Sequence, residues 1–336
     1  MKNFLSLKNC SVDEILSLLS EAKRLEQNPG DLRLQGKVLG LLFMNPSVRT
    51  LASFQSAMAR LGGTSFVIAP GTSSWGMEWR DNAVMNEEAA EHFREAIPVL
   101  EEYADALGLR CFARGENLAE DMSEPILNVA TSLAKKPFIN MESAMDHPCQ
   151  SLADWKTMDD LGIDGNGKKF VLSWADHPKA LPLAVPSATL DMAVRRGMDV
   201  TVLAPDGFEL PASMISDAKA LADSTGASVT ETTDRREALS DATVLYAKAW
   251  RSPIAYGDEG LDQELRTKAR LDDWTIRESW FESASPGARF MHCLPVRRNV
   301  VVADEILDGP RSIVTKQARN RLYAQMSVLC HLLLEN

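Results

Sequence analysis

Three short motifs hold most of the side chains in this sequence that can do chemistry. They lie at residues 47–50, 147–150 and 292–295 and read SVRT, HPCQ and HCLP. Hydroxyl and guanidinium donors in the first motif suit a phosphate. In the second motif, the histidine and the glutamine three residues later can share one face of a helix start and reach one carbonyl group. Each motif alone is weak evidence, so the elements that carry them matter.

The first motif stands at the start of a predicted helix. The apolar run Val38–Phe43 is typical of a buried strand, and Ser47, after a short break, is a favoured N-cap. Apolar residues then recur at helical spacing, at Leu51, Phe54, Met58 and Leu61. A strand that turns into a helix gathers backbone N–H groups and the positive end of the helix dipole, where a phosphate can bind. Arg49 adds a planar fork that matches phosphate oxygens; the alternative is an ordinary capped helix with one solvated arginine.

Length and charge limit the class of protein. A chain of 336 residues exceeds the usual size of one hydrophobic core, so we expect two domains. With 47 acidic and 36 basic side chains the formal charge is −11, which argues against a nucleic-acid or anionic-membrane partner. An anionic substrate must therefore be captured by local arginines.

The cysteines and histidines indicate neither a disulfide framework nor a metal site. Five cysteines are scattered and odd in number, at Cys10, Cys111, Cys149, Cys293 and Cys330. They read as reduced thiols of a cytosolic protein. The five histidines lack a metal-ligand spacing, so we expect no metal and no cofactor. The N-terminus lacks a signal-like segment and no apolar run approaches the ~20 residues that span a bilayer, so we predict a cytoplasmic protein.

The order of elements predicts an α/β protein with two domains. Apolar runs alternate with helix-period stretches, at Val38–Phe43, Ser65–Ala69, Ala106–Cys111, Phe138–Met141, Lys169–Trp174, Asp199–Leu203, Ser228–Thr230, Ala242–Ala247, Arg289–His292 and Ser312–Thr315. These are enough strands for two mainly parallel sheets of four or five, flanked by helices. We predict helices at Gln150–Leu161 and Gln317–Leu334, with residues 1–145 plus 317–336 in one domain and residues 146–316 in the other. The proline-rich run His177–Pro186 follows a strand, where ligands gather in open sheets, although a structural linker is the alternative.

Taken together, the three motifs resemble the carbamoyl-phosphate site of the aspartate/ornithine carbamoyltransferase superfamily, and the resemblance covers nearly the whole chain. It implies two α/β domains, the first binding carbamoyl phosphate and the second the acceptor, with a deep knot in the second. The residues implied to bind carbamoyl phosphate are Ser47, Val48, Arg49, Thr50, Trp75, Arg110, His147, Gln150, Cys293, Leu294 and Arg321. Trp75 is implied to reach a neighbouring subunit's site, so the resemblance implies a homotrimer with shared sites; a core or surface tryptophan is the alternative.

Carbamoyl transfer needs hydrogen-bond donors for the carbonyl oxygen and for the leaving phosphate, because negative charge builds on both. The resemblance implies catalytic roles for Arg110, His147 and Cys293, with Cys293 contacting the carbamoyl end. Direct attack by the substrate amine needs no covalent enzyme intermediate, so Cys293 is not expected to be a nucleophile. The bound phosphate can accept the amine proton, although the sequence does not identify the base.

The acceptor is predicted from charge. Ornithine carbamoyltransferases resemble one another in a Ser-Met-Gly loop that receives a free α-ammonium, and this chain has no such run. Lys248 stands at the matching place, where a lysine would repel an ammonium but attract the α-carboxylate of an N-acylated ornithine. Glu142, His177, Arg297 and the run His292–Asn299 match the N-acetyl/N-succinylornithine branch, whereas Ala90 matches neither the acetyl-specific nor the succinyl-specific pattern. The residues implied to bind the acceptor are Glu142, His177, Lys248, Arg297 and Ala90. The alternatives are ordinary ornithine carbamoyl transfer and a non-catalytic paralogue subunit.

Two departures from the family pattern bear on specificity. The first motif is usually followed by arginine, and Leu51 stands there in this chain. Acetyl-specific relatives tend to have glutamate where this chain has Ala90 and lysine where it has Val301, whereas succinyl-specific ones have proline in place of Ala90. An alanine does not repel a distal carboxylate as a glutamate does, and Arg297 can pair with it. We therefore favour a succinyl group over an acetyl group.

Overall fold

The computed structural model describes residues 2–28, 30–270 and 273–334, which separate into two compact units. Unit 1 contains the chain up to Arg114, residues 119–152 and the chain from Arg321 onward. Unit 2 contains residues 115–118 and 153–320. Both main divisions fall a few residues after the positions that the sequence suggested, because each lies inside a helix rather than before it.

Unit 1 contains a four-stranded parallel sheet and a separate, small two-stranded sheet. The strands are β1 (Val38–Phe43), β2 (Thr64–Ile68), β3 (Gly76–Glu78), β4 (Ala89–His92), β5 (Ala106–Arg110) and β6 (Phe138–Glu142). The order in the main sheet is β2-β1-β5-β6, and β3 pairs with β4. Successive residues of β1, β5 and β6 are nearly all buried, although their side chains alternate between the two faces of the sheet. Both faces are therefore covered.

The helices of unit 1 bury apolar stripes against this sheet. They are α1 (Val12–Gln27), α2 (Val48–Arg60), α3 (Phe93–Tyr103), α4 (Leu118–Met122) and α5 (Pro125–Leu133), together with a short 3-10 helix at Leu7–Asn9. Phe93 and Ile97 of α3 pack with Leu107 and Leu109 of β5 in one hydrophobic cluster. The spacing of four residues between the two α3 side chains places them on one helix face, which holds α3 on the sheet.

Unit 2 is built on a five-stranded parallel sheet in the order β11-β10-β7-β8-β9. The strands are β7 (Lys169–Trp174), β8 (Asp199–Leu203), β9 (Val229–Thr232), β10 (Val244–Lys248) and β11 (Arg289–Met291). The remaining helices are α6 (Pro148–Asp160), α7 (Ala184–Arg195), α8 (Ala212–Thr225), α9 (Arg235–Leu239), α10 (Glu259–Arg270), α11 (Asp304–Leu307) and α12 (Val314–Leu334), with a 3-10 helix at Glu278–Phe281. Within the described ranges, no helix combines the length and the apolar character needed to cross a membrane.

The predicted two-domain α/β architecture with sheets of four and five strands is confirmed. The predicted strand Ser312–Thr315 is wrong. Ser312 makes only an isolated bridge to Phe290, and Val314 already begins α12. Its apolar residues serve a helix face that continues for 21 residues. The sequence analysis also missed β3 and β4, because both are short and their residues are mostly half-buried, without apolar alternation.

Candidate functional site

The N-terminus of α2 is built as the first motif predicts. Ser47 has an extended backbone, with φ −158° and ψ 118°, and its Oγ accepts a hydrogen bond from the Thr50 amide at 3.2 Å. The same hydroxyl donates to Thr50 Oγ1 at 3.0 Å. This N-cap satisfies one of the amides of the first turn and leaves the helix dipole directed at the end of β1. The turn therefore presents the geometry of an anion site, with half-buried Arg49 on its first turn.

Arg321 reaches this helix start from α12. Its Nη2 donates to Thr50 Oγ1 at 2.9 Å, although the two residues are far apart in the chain. Thr50 is 0% exposed and Arg321 is 3% exposed. Burial lowers the pKa of Arg321, and the nearby cations Arg110 and Arg49 lower it further. A buried guanidinium among other cations favours any anion that enters beside it.

Arg110, Glu142 and His147 form a second buried group in unit 1. Arg110 ends β5 and Glu142 ends the neighbouring strand β6, where the register shifts so that the two residues pair. Arg110 Nη1 donates to Glu142 Oε2, and His147 Nε2 lies 3.2 Å from the same oxygen. The carboxyl ends of adjacent parallel strands thus bring a cation, a carboxylate and an imidazole to one edge of the sheet, as ligand sites in such sheets require.

His147 is held in its neutral form. Burial lowers the pKa of His147 well below its ordinary value, and the cations Arg321, Arg110 and Arg49 add to the effect. Because Glu142 accepts from the ring, we assign the proton to Nε2. A neutral imidazole of this kind can donate one hydrogen bond to a carbonyl oxygen without giving up its proton.

Buried polar atoms of this group remain without a protein partner. Among the residues that the structure describes, the Nε atoms of Arg110 and Arg321 are buried and lack a hydrogen-bond partner. Such atoms are uncommon in native interiors, and these two belong to guanidinium groups that lie near each other. The arrangement suits a small, highly charged ligand with several oxygen atoms.

Glu124 shapes the turn that delivers His147, and the sequence analysis missed it. Its carboxylate accepts hydrogen bonds from Ser143 Oγ at 2.6 Å, from Met145 N at 2.8 Å and from Ala144 N at 3.1 Å. Burial raises the pKa of Glu124. Its own φ is 54°, an uncommon value for a residue other than glycine. A glutamate before a proline gave no signal in the sequence, because its partners lie almost twenty residues downstream.

The third motif lies in unit 2, after β11. His292 is buried, Cys293 is half-buried, and Leu294 has φ 56°. The Leu294 amide donates to His292 Nδ1 at 2.9 Å, which closes a tight turn. The Leu294-Pro295 peptide bond is cis. Cys293 and Leu294 therefore lie on a turn whose backbone is bent by its own histidine.

Unit 2 also brings together two of the predicted acceptor residues. Arg297 Nε donates to His177 Nε2 at 3.2 Å, and the other ring nitrogen, Nδ1, lies 3.1 Å from Lys179 O and 3.0 Å from Lys179 N. Burial lowers the pKa of His177 to about 4, and the cations Lys248 and Arg297 contribute. Lys248 ends β10, is 9% exposed and donates to Ala249 O at 3.0 Å. Two cations around a neutral imidazole form a site for a carboxylate.

The remaining predicted residues occupy three different settings. Gln150 is buried in the first turn of α6, and its amide donates to His147 O at 2.9 Å. Glu142, predicted to bind the acceptor, lies in unit 1 and is bonded to Arg110 and His147. Ala90 lies exposed on β4. Trp75, which precedes β3, is 59% exposed, and its indole Nε1 donates to Glu91 Oε2 at 2.6 Å.

The parts of the chain that the structure describes show no side-chain cluster typical of a metal site. No group of three or more histidine, cysteine, aspartate or glutamate side chains is arranged there to hold a metal ion. The donors described above are instead mostly guanidinium, hydroxyl and imidazole groups, which bind anions.

Comparison with known protein families matches both halves of the chain. Residues 2–160 match the model of the aspartate/ornithine carbamoyltransferase carbamoyl-P binding domain. Residues 185–332 match the model of the aspartate/ornithine carbamoyltransferase Asp/Orn binding domain. The first match contains the Ser47–Thr50 and His147–Gln150 motifs, and the second contains Lys248 and the His292–Pro295 motif.

Individual relatives are similar over nearly the full chain. An N-acetylornithine carbamoyltransferase of Xylella fastidiosa is 35% identical and covers 99% of this chain and 98% of the relative. An N-succinylornithine carbamoyltransferase of Bacteroides thetaiotaomicron is 33% identical over 99% of both chains. A crystal structure of an N-acetyl-L-ornithine transcarbamylase glutamate-to-alanine mutant, complexed with carbamyl phosphate and N-succinyl-L-norvaline, has a TM-score of 0.95 at 34% identity and covers 99% of this chain and 100% of that chain.

We expect the pH dependence of stability to report the neutral state of His147. Because the pKa of His147 is lowered in the fold, the unfolded chain takes up a proton below about pH 6.5 that the folded chain refuses. Above that pH, this proton uptake does not affect the free energy of unfolding. As the pH falls below it, the uptake lowers the free energy of unfolding by up to about 1.4 kcal/mol per pH unit. Urea unfolding at about pH 7.5 and about pH 5.5 should show a smaller loss for His147→Gln than for wild type.

His331→Gln serves as the control for removal of a histidine outside this group. Equal losses of stability in wild type and His147→Gln would show that the folded protein carries a protonated His147, against the assignment made above.

Proposed function

This chain belongs to the aspartate/ornithine carbamoyltransferase family, and on that basis we propose that it transfers the carbamoyl group of carbamoyl phosphate to the side-chain amine of an N-acylated ornithine. The products are an N-acylcitrulline and phosphate, as in arginine biosynthesis. The observation that carries the proposal is the buried group of Arg110, Arg321 and neutral His147 in unit 1, beside the capped start of α2.

The proposed reaction assigns the two ends of carbamoyl phosphate to different donors. The phosphate takes the amides of the α2 start, the hydroxyls of Ser47 and Thr50, and the guanidinium groups of Arg49 and Arg321. The carbonyl oxygen takes N–H groups of Arg110 and of His147, whose Nε2–H then donates to the carbonyl oxygen in place of Glu142. These donors are fixed before the reaction begins, so they stabilise the negative charge as it develops.

The chemical step then needs no group outside the substrates and these donors. The amine lone pair attacks the carbonyl carbon, and the carbonyl oxygen gains negative charge beside Arg110 and His147. The carbon–oxygen bond to phosphate breaks as the carbonyl re-forms, and phosphate leaves with that electron pair. We propose that the leaving phosphate takes the proton from the amine. Because His147 is neutral and a weak acid, it polarises the carbonyl rather than protonating it.

The acceptor follows from charge in unit 2. A free α-ammonium would be repelled by the cations Lys248 and Arg297. Neutral His177 carries no charge that could attract it. Acylation makes the α-nitrogen an uncharged amide and leaves a carboxylate, which both cations attract. This supports an N-acylated ornithine over ornithine itself.

For the acyl group we propose succinyl. The N-acetyl-L-ornithine transcarbamylase mutant solved with N-succinyl-L-norvaline carries alanine in place of a glutamate. Ala90 is an alanine at the position where acetyl-specific relatives tend to have glutamate. A succinyl group ends in a carboxylate, so loss of a facing glutamate removes a repulsion that an acetyl group never meets.

We further propose a cytoplasmic homotrimer in which Trp75 reaches the site of a neighbouring subunit. The exposure of Trp75 supports this, since 59% of so large an apolar side chain remains accessible while its indole is held by Glu91. Unit 1 is proposed to bind carbamoyl phosphate and unit 2 the acceptor. The deep knot in unit 2 stays a prediction.

The first experiment measures phosphate release from carbamoyl phosphate in the presence of ornithine, N-acetylornithine or N-succinylornithine.

Arg49→Ala should lower the rate at saturating carbamoyl phosphate by about 10²- to 10³-fold, because it removes a charged donor from the leaving group. Arg60→Ala, at the exposed end of the same helix, is the matched control and should keep the wild-type rate. An unchanged rate for Arg49→Ala would exclude the first motif from the site.

The acyl preference is tested at Ala90. We expect Ala90→Glu to lower kcat/KM for N-succinylornithine by about tenfold or more while leaving N-acetylornithine nearly unaffected, because the new carboxylate repels only the succinyl end. Ala90→Gln has the same shape without the charge and should leave the preference as it is in wild type. A ratio of kcat/KM that is the same in all three proteins would mean that residue 90 does not face the acyl group.

The shared site is tested by mixing inactive subunits. Trp75→Ala and Arg49→Ala proteins should each be inactive, and their mixture should regain part of the wild-type activity once subunits exchange, since a mixed trimer contains sites with both residues intact. Subunit exchange is followed with differently tagged proteins. Confirmed exchange without return of activity would show that Trp75 acts within its own subunit or not at all.

A further inference from the structure

The His292–Leu294 turn needs support from outside itself. Leu294 has φ 56°, a left-handed conformation that is unfavourable for a residue with a side chain. The hydrogen bond from its amide to His292 Nδ1 favours the turn but does not hold the turn against the rest of unit 2. A local backbone of this kind persists when surrounding groups determine it.

Gln317, in the first turn of α12, supplies that support. The side chain is 1% exposed, and its Oε1 accepts a hydrogen bond from the His292 amide at 3.0 Å. Its Nε2 donates to Asp154 Oδ1 at 2.8 Å. A carboxylate only accepts hydrogen bonds, so Asp154 fixes which way the Gln317 amide faces. The amide oxygen is thereby kept toward the turn.

Asp154 is itself enclosed. It lies on α6, is 0% exposed, and is adjacent to the hydroxyl of Tyr246 on β10. Burial raises the pKa of Tyr246 well above its ordinary value, and the negative charge of Asp154 adds to this. The phenol therefore stays protonated between the carboxylate and the turn. Asp154 of α6 and Gln317 of α12 thus form a buried hydrogen-bonded pair that continues to the His292 backbone.

We infer that Asp154 and Gln317 are positioning residues that hold the His292–Leu294 turn in register with the reacting carbonyl group. The inference rests on the proposed function, in which Cys293 and Leu294 contact the carbamoyl end of carbamoyl phosphate. Neither Asp154 nor Gln317 needs to touch a substrate. Gln317 fixes the His292 backbone, and the His292 imidazole fixes the Leu294 amide, so the orientation of the turn follows from two hydrogen bonds in sequence.

This role predicts a division between kinetic constants. The phosphate is held by residues of unit 1, so binding of carbamoyl phosphate should survive a shift of the turn in unit 2. The attack depends on the angle and distance of the carbonyl group, and a displacement of about 1 Å can cost about 10²-fold in rate. Loss of the support should therefore lower kcat far more than it raises KM for carbamoyl phosphate.

The experiment uses the full-length protein and three variants. Gln317→Met keeps the volume and removes both hydrogen bonds, and Gln317→Asn keeps an amide that is too short to reach both partners. Thr157→Val is the matched control: Thr157 Oγ1 accepts from Asn320 Nδ2 at 2.9 Å, a buried link between the same two helices that does not include the turn. For each protein we would measure Tm, kcat, KM for carbamoyl phosphate, and the Kd of inorganic phosphate by calorimetry.

We expect both Gln317 variants to lose about 10- to 100-fold in kcat, with KM and the phosphate Kd changed by less than about threefold. Thr157→Val should lose a comparable amount of Tm and keep its kcat. Asp154→Asn can donate as well as accept, so it no longer fixes the direction of the Gln317 amide; it should lower kcat in the same way as the Gln317 variants, which gives a readout should Gln317→Met fail to fold.

Two results would overturn the inference. The first is a folded Gln317 variant with wild-type kcat, and the second is a loss of kcat in Thr157→Val equal to that in the Gln317 variants, which would make the effect one of general stability. Failure of the proposed function is recognised separately, because the wild-type protein would then release no phosphate with any of the three acceptors.

Discussion

The structure of unit 1 is organised around the burial of like charges. Arg110 and Arg321 lie almost fully inside the protein, half-buried Arg49 is close to Arg321, and Glu142 accepts from Arg110. Removing a guanidinium from water costs several kcal/mol unless an anion or a set of hydrogen bonds compensates. Three structural features therefore keep these cations together. They are the β5–β6 register, the capped start of α2 and the position of α12. A ligand with two or more negative charges satisfies the same cations better than one carboxylate does.

In both units a histidine provides uncharged hydrogen-bonding groups beside cations. Both His147 and His177 sit beside cations, and for both, burial and those cations lower the pKa so that the ring is neutral. An imidazole supplies hydrogen bonds in such a place without adding charge, which lysine and arginine cannot do. In unit 1 the neutral ring faces a carboxylate that a carbonyl oxygen can replace, and in unit 2 it accepts from Arg297 and orients that guanidinium.

Local rules predicted what local sequence controls. Ser47 as an N-cap, Arg110 at the end of β5 and the helix that begins after His147 all follow from features within a few residues. Partners that are distant in the chain could not be predicted that way: Thr50 with Arg321, Glu124 with the turn before His147, and Gln317 with His292. Ser312–Thr315 failed for the opposite reason, since a short apolar run fits a strand or a helix start equally and the longer α12 decided it.

The division of the chain also sets an order of events during protein synthesis. Residues 153–320 of unit 2 leave the ribosome as one nearly continuous segment, and the last piece of unit 1, which begins at Arg321, follows them. A nascent chain can thus complete the sheet of unit 2 before Arg321 is able to reach Thr50. An unfinished polypeptide that ends before Arg321 lacks one of the buried guanidinium groups of unit 1. Unit 1 is therefore completed by α12, after every strand of both sheets has been translated.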